Sequence, residues 1–169
     1  IVVGATAYAK LGANYQIPTV VYTDDNDIKD GIINGNLYLK GYGDPDLNSG
    51  DIQTLAAEKT KKGIKEITGN IVADDSYFDN NYYGLSGVYK GDTGPSYWPY
   101  VSGLCLDKST GAVSAGNTLS SALSGLGVNV QGTVISGVTP TGAKEVAQIS
   151  HAIYDVLAYM LKESDNHSA

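Results

Sequence analysis

The spacing of apolar residues changes several times along the chain, and this change restricts the possible folds more than any other feature of the sequence. Residues 151–163 carry apolar side chains at helical spacing, whereas residues 19–23, 36–42 and 128–135 are β-branched or alternate apolar with polar residues. Segments of both kinds have one apolar face that must be buried against another element. Their succession therefore predicts a mixed α/β or α+β fold.

Clusters of Asp, Asn, Ser and Gly separate the predicted elements and set their ends. Helices are predicted at residues 1–11, 50–62, 115–127 and 151–163. Ser49 and Ser150 are expected to cap the second and fourth of them, and Gly12 to end the first. Strands are predicted at residues 19–23, 36–42, 64–75 (a strand pair or one bent strand), 128–135 and 143–150, the last as an edge strand. Residues 76–100 have no period and are expected to form a long loop.

Two of the predicted helices have a clear apolar stripe. In the second helix the stripe is Ile52, Leu55 and Ala56. In the fourth helix it is Ile153, Val156, Leu157, Met160 and Leu161, at positions i, i+3, i+4, i+7 and i+8. The strand at 36–42 places Leu37 and Leu39 on one face and polar residues on the other, so one wet face is expected there.

The charge of the chain excludes several kinds of partner. The net charge is −7, the sequence pI is about 4.6, and all 11 basic residues are Lys. A protein that binds nucleic acid needs a basic surface, so nucleic acid is excluded as a partner, and an anionic membrane surface is a poor one. No apolar run reaches the roughly 18 residues that a membrane span requires, and residues 1–3 lack the features of a signal peptide.

Cysteine and histidine are too few to form a covalent or metal framework. Cys105 is the single cysteine, so no internal disulfide is expected, and its apolar neighbours predict a buried small side chain. His151 and His167 have no cysteine near them in the sequence, and a zinc site is not predicted from this pair.

The acidic turn at residues 43–50 has part of the pattern of a calcium loop. Asp44, Asp46 and Asn48 stand at its first, third and fifth positions. However, Ser49 replaces the glycine of the sharp turn, and Leu55 replaces the bidentate glutamate. We therefore expect a solvated turn here, and no metal or organic cofactor is predicted for the chain.

The motif with most chemical content is Ser164-Asp165-Asn166, directly after the fourth predicted helix. Alone, such a triplet is usually a cap or a turn. A Ser-x-Asn that follows an amphipathic helix is, however, also the second of three motifs in serine-lysine acyl-transfer enzymes. The other two are a Ser-x-x-Lys, which supplies nucleophile and base, and a Lys-Thr-Gly strand that binds the substrate carboxylate. Thr141-Gly142 has no preceding Lys and is not the third motif.

Several further segments, in the same order, resemble one enzyme family. They are ATAYAKLGANYQIPTVV, GNLYLKGYGDPDL, GIKEITGNIVADDSYFD, GLGVNVQGTV and ISHAIYDVLAYMLKESDN. Together they resemble the D-alanyl-D-alanine carboxypeptidase/endopeptidase family, low-molecular-mass penicillin-binding proteins with a large insertion between Ser-x-x-Lys and Ser-x-Asn. The resemblance implies an α+β fold, part of a penicillin-binding/β-lactamase-like core with an inserted strand-rich domain. It places residues 1–22 and 140–169 in the core and 23–139 in the insertion.

The resemblance also implies roles for three residues. Ser164 would be a proton-relay hydroxyl and Asn166 an amide that positions the substrate. Asp92 would meet the ammonium group of the diamino acid in the peptidoglycan stem peptide. The implied substrate is that stem peptide, β-lactams are the implied inhibitors, no cofactor is implied, and the implied location is extracytoplasmic, in the periplasm or at the cell surface.

The chain departs from the family pattern at three places. By the same alignment, Ser-x-x-Lys would end just before Ile1 and Lys-Thr-Gly would lie beyond Ala169. The stretch between Lys108 and Ala115 is also much shorter than the corresponding part of the family. Without a nucleophile, the chain as given is expected to have no hydrolytic activity. Two alternatives follow: a non-catalytic module that binds cell-wall peptide or glycan through its Tyr-rich loop, and a cell-surface structural domain.

Overall fold

The structure, a computed structural model, describes residues 2–82, 100–108, 111–165 and 167–168. Its helices are α1 (Val2–Leu11), α2 (Ser49–Lys61), α3 (Ala112–Gly125) and α4 (Ile153–Glu163). Its strands are β1 (Gln16–Thr23), β2 (Ile32–Ile33), β3 (Leu37–Gly41), β4 (Glu66–Ile67), β5 (Ile71–Asp74), β6 (Asn129–Val130), β7 (Val134–Ser136) and β8 (Lys144–Ala152). This combination confirms the predicted α+β class.

The strands form two sheets in the described part of the chain. The larger sheet has five strands in the order β7-β5-β3-β1-β8. In it β1 is antiparallel to both β3 and β8, while β3, β5 and β7 are parallel to one another. The smaller sheet is parallel, in the order β2-β4-β6. As predicted for residues 143–150, β8 lies at an edge.

Two clusters of buried side chains hold these elements together. The larger cluster joins α2 and α3 to the strands, and it includes the predicted stripe Ile52, Leu55 and Ala56. Leu37 and Leu39 of β3 are fully buried in it. The smaller cluster is formed by one side chain of β1 and four of α4: Ile17, Ile153, Val156, Leu157 and Met160. The helix that leads to Ser164 therefore has its own apolar anchor.

Three strand predictions are corrected by the structure. β3 does not have a wet face: Tyr38 is 7% exposed, and Lys40 is ion-paired with Asp74. The segment at 64–75 is two strands in different sheets, β4 and β5. The segment at 128–135 is likewise divided, into β6 and β7, around Gly132. A Cβ atom at this glycine would lie 2.3 Å from the carbonyl oxygen of Gly69, so the two backbones approach too closely for a larger residue.

Both predicted N-terminal helix caps, Ser49 for α2 and Ser150 for α4, are wrong. At α2 the cap is Asn48, whose Oδ1 accepts hydrogen bonds from the amides of Gly50 (2.9 Å) and Asp51 (3.3 Å). Asp51 accepts in return from the Asn48 amide at 2.9 Å, a reciprocal capping box. The Ser49 hydroxyl instead donates to Asp107 at 2.6 Å.

The fourth helix begins two residues later than predicted. Ser150 and His151 belong to β8, the N-cap is Ala152, and the Ile153 amide donates to the Tyr15 carbonyl at 2.9 Å. Leu161, predicted to lie on the buried stripe, is 56% exposed.

The inserted domain remains a prediction. The larger sheet contains strands from both predicted parts: β1 and β8 from the core fragments, and β3, β5 and β7 from the insertion. Most of the predicted loop at 76–100 lies outside the described residues. None of the described helices has the length and hydrophobicity to cross a membrane.

Candidate active site

Of the three predicted site residues, the structure describes only Ser164. This residue ends α4 in the left-handed conformation, with φ 55° and ψ 42°, and its side chain is exposed. The amide of the next residue, Asp165, donates to the Met160 carbonyl at 3.2 Å and closes the helix end. Asn166 and Asp92 lie outside the described residues. The Ser164 hydroxyl is thus presented at the surface, directly after a helix that is anchored on its other side.

The anchor of α4 depends on a close contact with α1. A Cβ atom at Gly4 would lie 2.9 Å from Cε of Met160 and 3.5 Å from Cδ2 of Leu157. The absence of a side chain at Gly4 therefore lets the two helices approach, and Met160 lies one turn before Ser164. The helices α1 and α4, far apart in the sequence, together fix the position of the serine.

The middle residue of the triplet, Asp165, is held by several hydrogen bonds. Its Oδ2 accepts from the ammonium group of Lys108 at 2.8 Å and from the Ser168 hydroxyl at 2.6 Å. Its Oδ1 accepts from the His167 amide at 3.3 Å. Partial burial by itself raises the pKa of Asp165, but the bonds from Lys108 and Ser168 outweigh burial and lower the pKa to about 2. The carboxylate is therefore ionised at neutral pH.

A second contact to the residues after the triplet comes from Cys105. Its side chain is buried, as predicted, and its Sγ lies 3.4 Å from Nε2 of His167. Burial lowers the pKa of His167 despite the opposing charge of Asp165, so this imidazole is favoured in its neutral form. Segment 100–108 thus contacts the triplet region through side chains that include Cys105 and Lys108.

His151, next to the start of α4, forms a partly buried contact with a carboxylate that the sequence did not reveal. Its Nδ1 lies 2.7 Å from the carboxylate of Asp44, and its Nε2 lies 3.7 Å from Asp51. Asp44 is 2% exposed, so the expectation of a solvated turn is wrong for this residue. The pairing joins positions 107 residues apart, and no local pattern signals such a contact.

The two histidines should titrate on opposite sides of their ordinary pKa. Burial opposes protonation of His151, but the hydrogen bond and charge of Asp44 outweigh it and raise the pKa of His151. Since that pKa is raised in the folded state, the stabilisation is fully present below about pH 6.5 and is lost as pH rises through the folded pKa. For His167 the pKa is lowered in the folded state. Its contribution to stability is therefore present above about pH 6.5 and is lost as pH falls through the folded pKa.

NMR titration of the two imidazoles measures this difference directly. We expect the midpoint of His151 to lie above about 6.5 and that of His167 below it. An Asp44→Asn substitution should lower the midpoint of His151 and leave His167 unchanged, because Asp44 contacts only the former of the two. Equal midpoints in the wild-type chain would contradict the ion pair.

The Tyr-rich loop of the binding-module hypothesis is described only at its two ends. Tyr77 and Phe78 are 50% and 42% exposed, and their ring centroids are 5.3 Å apart. Tyr82 and Tyr100 stack with centroids 5.0 Å apart. Each pair is a local aromatic contact, and residues 83–99 between them in the sequence lie outside the described part of the chain.

Comparison with known proteins identifies the family. The chain matches the D-Ala-D-Ala carboxypeptidase 3 (S13) family over residues 1–115 and 106–169. Among curated proteins it is 37% identical over 79 residues to the D-alanyl-D-alanine carboxypeptidase DacB of Haemophilus influenzae. It is 36% identical over 76 residues to the D-alanyl-D-alanine carboxypeptidase of Actinomadura sp.. These alignments cover 47% and 45% of this chain, but only 16% and 14% of the two relatives.

Solved structures show the same fold over nearly the whole chain. The crystal structure of penicillin-binding protein 4 (dacB) from Haemophilus influenzae has a TM-score of 0.86 at 21% identity, and the match covers 98% of this chain. A second structure of that protein, complexed with a β-lactam, has a TM-score of 0.70. The chain spans 53% of the first of these solved chains. The family match extends through Ser164 and the elements that anchor it, and the chain belongs to the D-Ala-D-Ala carboxypeptidase 3 (S13) family.

Proposed function

We propose that this chain provides the Ser-x-Asn part of the active site of a serine-type D-Ala-D-Ala carboxypeptidase/endopeptidase that acts on peptidoglycan stem peptides. The observation that carries the proposal is the presentation of Ser164. Its hydroxyl is exposed on a left-handed turn at the end of an anchored helix, in a chain that belongs to this family. Such an enzyme works outside the cytoplasm, where its substrate lies.

The chemistry requires a nucleophile that these 169 residues do not contain, because the sequence has no Ser-x-x-Lys. In the proposed reaction, a serine of that motif attacks the carbonyl of the penultimate D-Ala, with the lysine as base. Ser164 relays a proton to the departing D-alanine, and Asn166 orients the substrate. Water then hydrolyses the acyl-enzyme. Asp92 would bind the ammonium group of the diamino acid.

Penicillin labelling tests this proposal. The protein that carries this chain, purified from the cells that make it, is incubated with a fluorescent penicillin and digested, and its peptides are analysed by mass spectrometry. We expect a stable adduct on a serine followed three residues later by lysine, outside residues 1–169, in a protein that also yields peptides of this chain. A protein that yields these peptides and takes up no penicillin would contradict the catalytic proposal.

The exposed pair Tyr77 and Phe78 favours one alternative, a module that binds cell-wall glycan or peptide without cleaving it. Aromatic rings bind sugars and peptides through large flat contacts at low entropic cost. This alternative expects no penicillin adduct, but it expects binding to purified peptidoglycan that is lost in a Tyr77→Ala, Phe78→Ala double variant. Labelling and sedimentation with peptidoglycan therefore separate the two functions.

A further inference from the structure

We propose that Lys108 is a positioning residue: it holds the Ser-x-Asn turn in its working conformation from a segment that lies far from the turn in the sequence. This inference rests on the proposed function, because it assigns Lys108 a role in the reaction that Ser164 serves. Neither the motif nor the family match assigns a role to this lysine.

Three groups surround the ammonium group of Lys108. Nζ lies 2.8 Å from Oδ2 of Asp165 and 3.5 Å from Oδ1 of Asp46. It also lies 4.0 Å from the ring centroid of Tyr159, a cation–π contact with α4 itself. One cation thus joins the helix, the turn that follows the helix, and the acidic turn at residues 43–50.

The backbone at Lys108 is held in an uncommon conformation that directs it to this position. Asp107 and Lys108 have φ angles of 52° and 58°, in the left-handed region that non-glycine residues rarely occupy. The start of α2 fixes them there. The Asp107 amide donates to the Leu47 carbonyl at 3.0 Å, and the Asp107 carboxylate accepts from the Ser49 hydroxyl at 2.6 Å. Strained backbone persists only where its surroundings determine it, and it is frequent at functional sites.

The contact matters for the turn because Asp165 lies between Ser164 and Asn166. Its carboxylate accepts hydrogen bonds from Lys108, Ser168 and the His167 amide, so the bond to Lys108 ties Asp165 and the residues that contact it to segment 100–108. Without the cation, the carboxylates of Asp46 and Asp165, which now share it, would repel each other. An isolated surface ion pair would contribute little, but here the lysine side chain is only 32% exposed and has two carboxylates and a ring around it.

The structural arm of the test needs no nucleophile and uses the chain as given. In Lys108→Met, which keeps an unbranched side chain as far as the Cε position and removes the ammonium group, we expect the amides of Asp165 and His167 to exchange with solvent roughly tenfold faster, because the turn opens locally. The pKa of Asp165, about 2 in the wild type, should rise. Lys108→Arg should restore both readouts. The amides of β3 and β5 should be unchanged, which shows that the variant is folded. Unchanged exchange and titration at the turn would overturn the inference.

The catalytic arm uses the protein in which penicillin labelling is measured. We expect Lys108→Met to lower the acylation rate roughly tenfold, since small displacements of a catalytic group can cost up to a hundredfold. Lys108→Arg should recover most of the rate. Combined with Asp165→Asn, Lys108→Met should cost little more than Asp165→Asn alone, because both remove one interaction. A labelled Lys108→Met variant with the wild-type rate would overturn the inference and leave the proposed function intact. A wild type that is not labelled would overturn both.

Discussion

A Ser164→Ala substitution should lower the rate of acylation by penicillin about 10²- to 10³-fold in the protein that carries this chain together with a nucleophilic serine. The proposed function gives the Ser164 hydroxyl a proton-transfer role, and positioned acid–base groups contribute about 10² to 10⁴ in rate. The Ser164 side chain is exposed, so its removal should not disturb the core. The measurement is the second-order rate constant for labelling with a fluorescent penicillin.

A second variant separates the hydroxyl from the conformation of the turn. Ser164 has φ 55°, a conformation that glycine adopts without strain and alanine does not. Ser164→Gly therefore removes the hydroxyl while relaxing the backbone. If the hydroxyl is required, both variants should be slow, although the glycine variant should be the more stable.

The matched control is Ser124→Ala, a serine that is exposed at the end of α3. It should label at the wild-type rate. A Ser164→Gly variant as fast as the wild type would contradict the relay role. It would show instead that acylation does not need the hydroxyl group of residue 164.

The elements of the fold could largely be predicted, because apolar periodicity is a local property. The stripe of α4 at Ile153, Val156, Leu157 and Met160 is buried as its spacing indicates. Its last position, Leu161, is not, since the stripe predicts which face is apolar but not how far the neighbouring elements extend. The ends of the elements were harder to predict, because they too depend on contacts with distant parts of the chain. Asn48 caps α2 in place of Ser49 because Asp107, 58 residues away, binds the Ser49 hydroxyl.

The candidate site likewise combines a local feature, which could be predicted from the sequence, with long-range contacts, which could not. Ser164 could be found because its motif directly follows a helix in the sequence. The pairs Lys108–Asp165 and Asp44–His151 could not, because their members are 57 and 107 residues apart. A single sequence shows charged residues but not which of them meet. The calcium-like spacing did point to Asp44 and Asp46, but for a different reason: both bind basic side chains of the protein itself, His151 and Lys108.

An Asp74→Asn substitution should lower the free energy of unfolding by about 3 kcal/mol, since removal of one member of a buried charge pair costs about 3 to 5 kcal/mol. Asp74 is fully buried at the end of β5, next to Lys40 of β3. Its carboxylate accepts from Lys40 at 3.1 Å and from the amides of Ser76 (2.9 Å) and Thr139 (2.7 Å). The side-chain NH₂ group of an asparagine would face at least one of these donors, and that hydrogen bond would be lost.

The control for this substitution is a closer but exposed ion pair. Asp27 and Lys29 lie 2.6 Å apart, with side chains 70% and 73% exposed. Because solvent screens exposed charges, Asp27→Asn should change the free energy of unfolding by less than about 1 kcal/mol. Urea unfolding, followed by circular dichroism, measures both variants. The prediction is that burial, rather than the distance between the charged atoms, decides how much an ion pair contributes to stability. Equal effects of the two substitutions would contradict it.

The carboxylate of Asp74 should make the stability of the wild-type chain sensitive to acid. Burial raises the pKa of Asp74, but the hydrogen bonds from Ser76 and Thr139 outweigh it and lower the pKa to about 2. A pKa that is depressed on folding contributes stability above about pH 4, and this contribution is lost as pH falls from about 4 to 2. The free energy of unfolding should therefore decline over this range by about 2 kcal/mol more in the wild type than in Asp74→Asn. Parallel pH profiles of the two proteins would show that folding does not lower the pKa of Asp74.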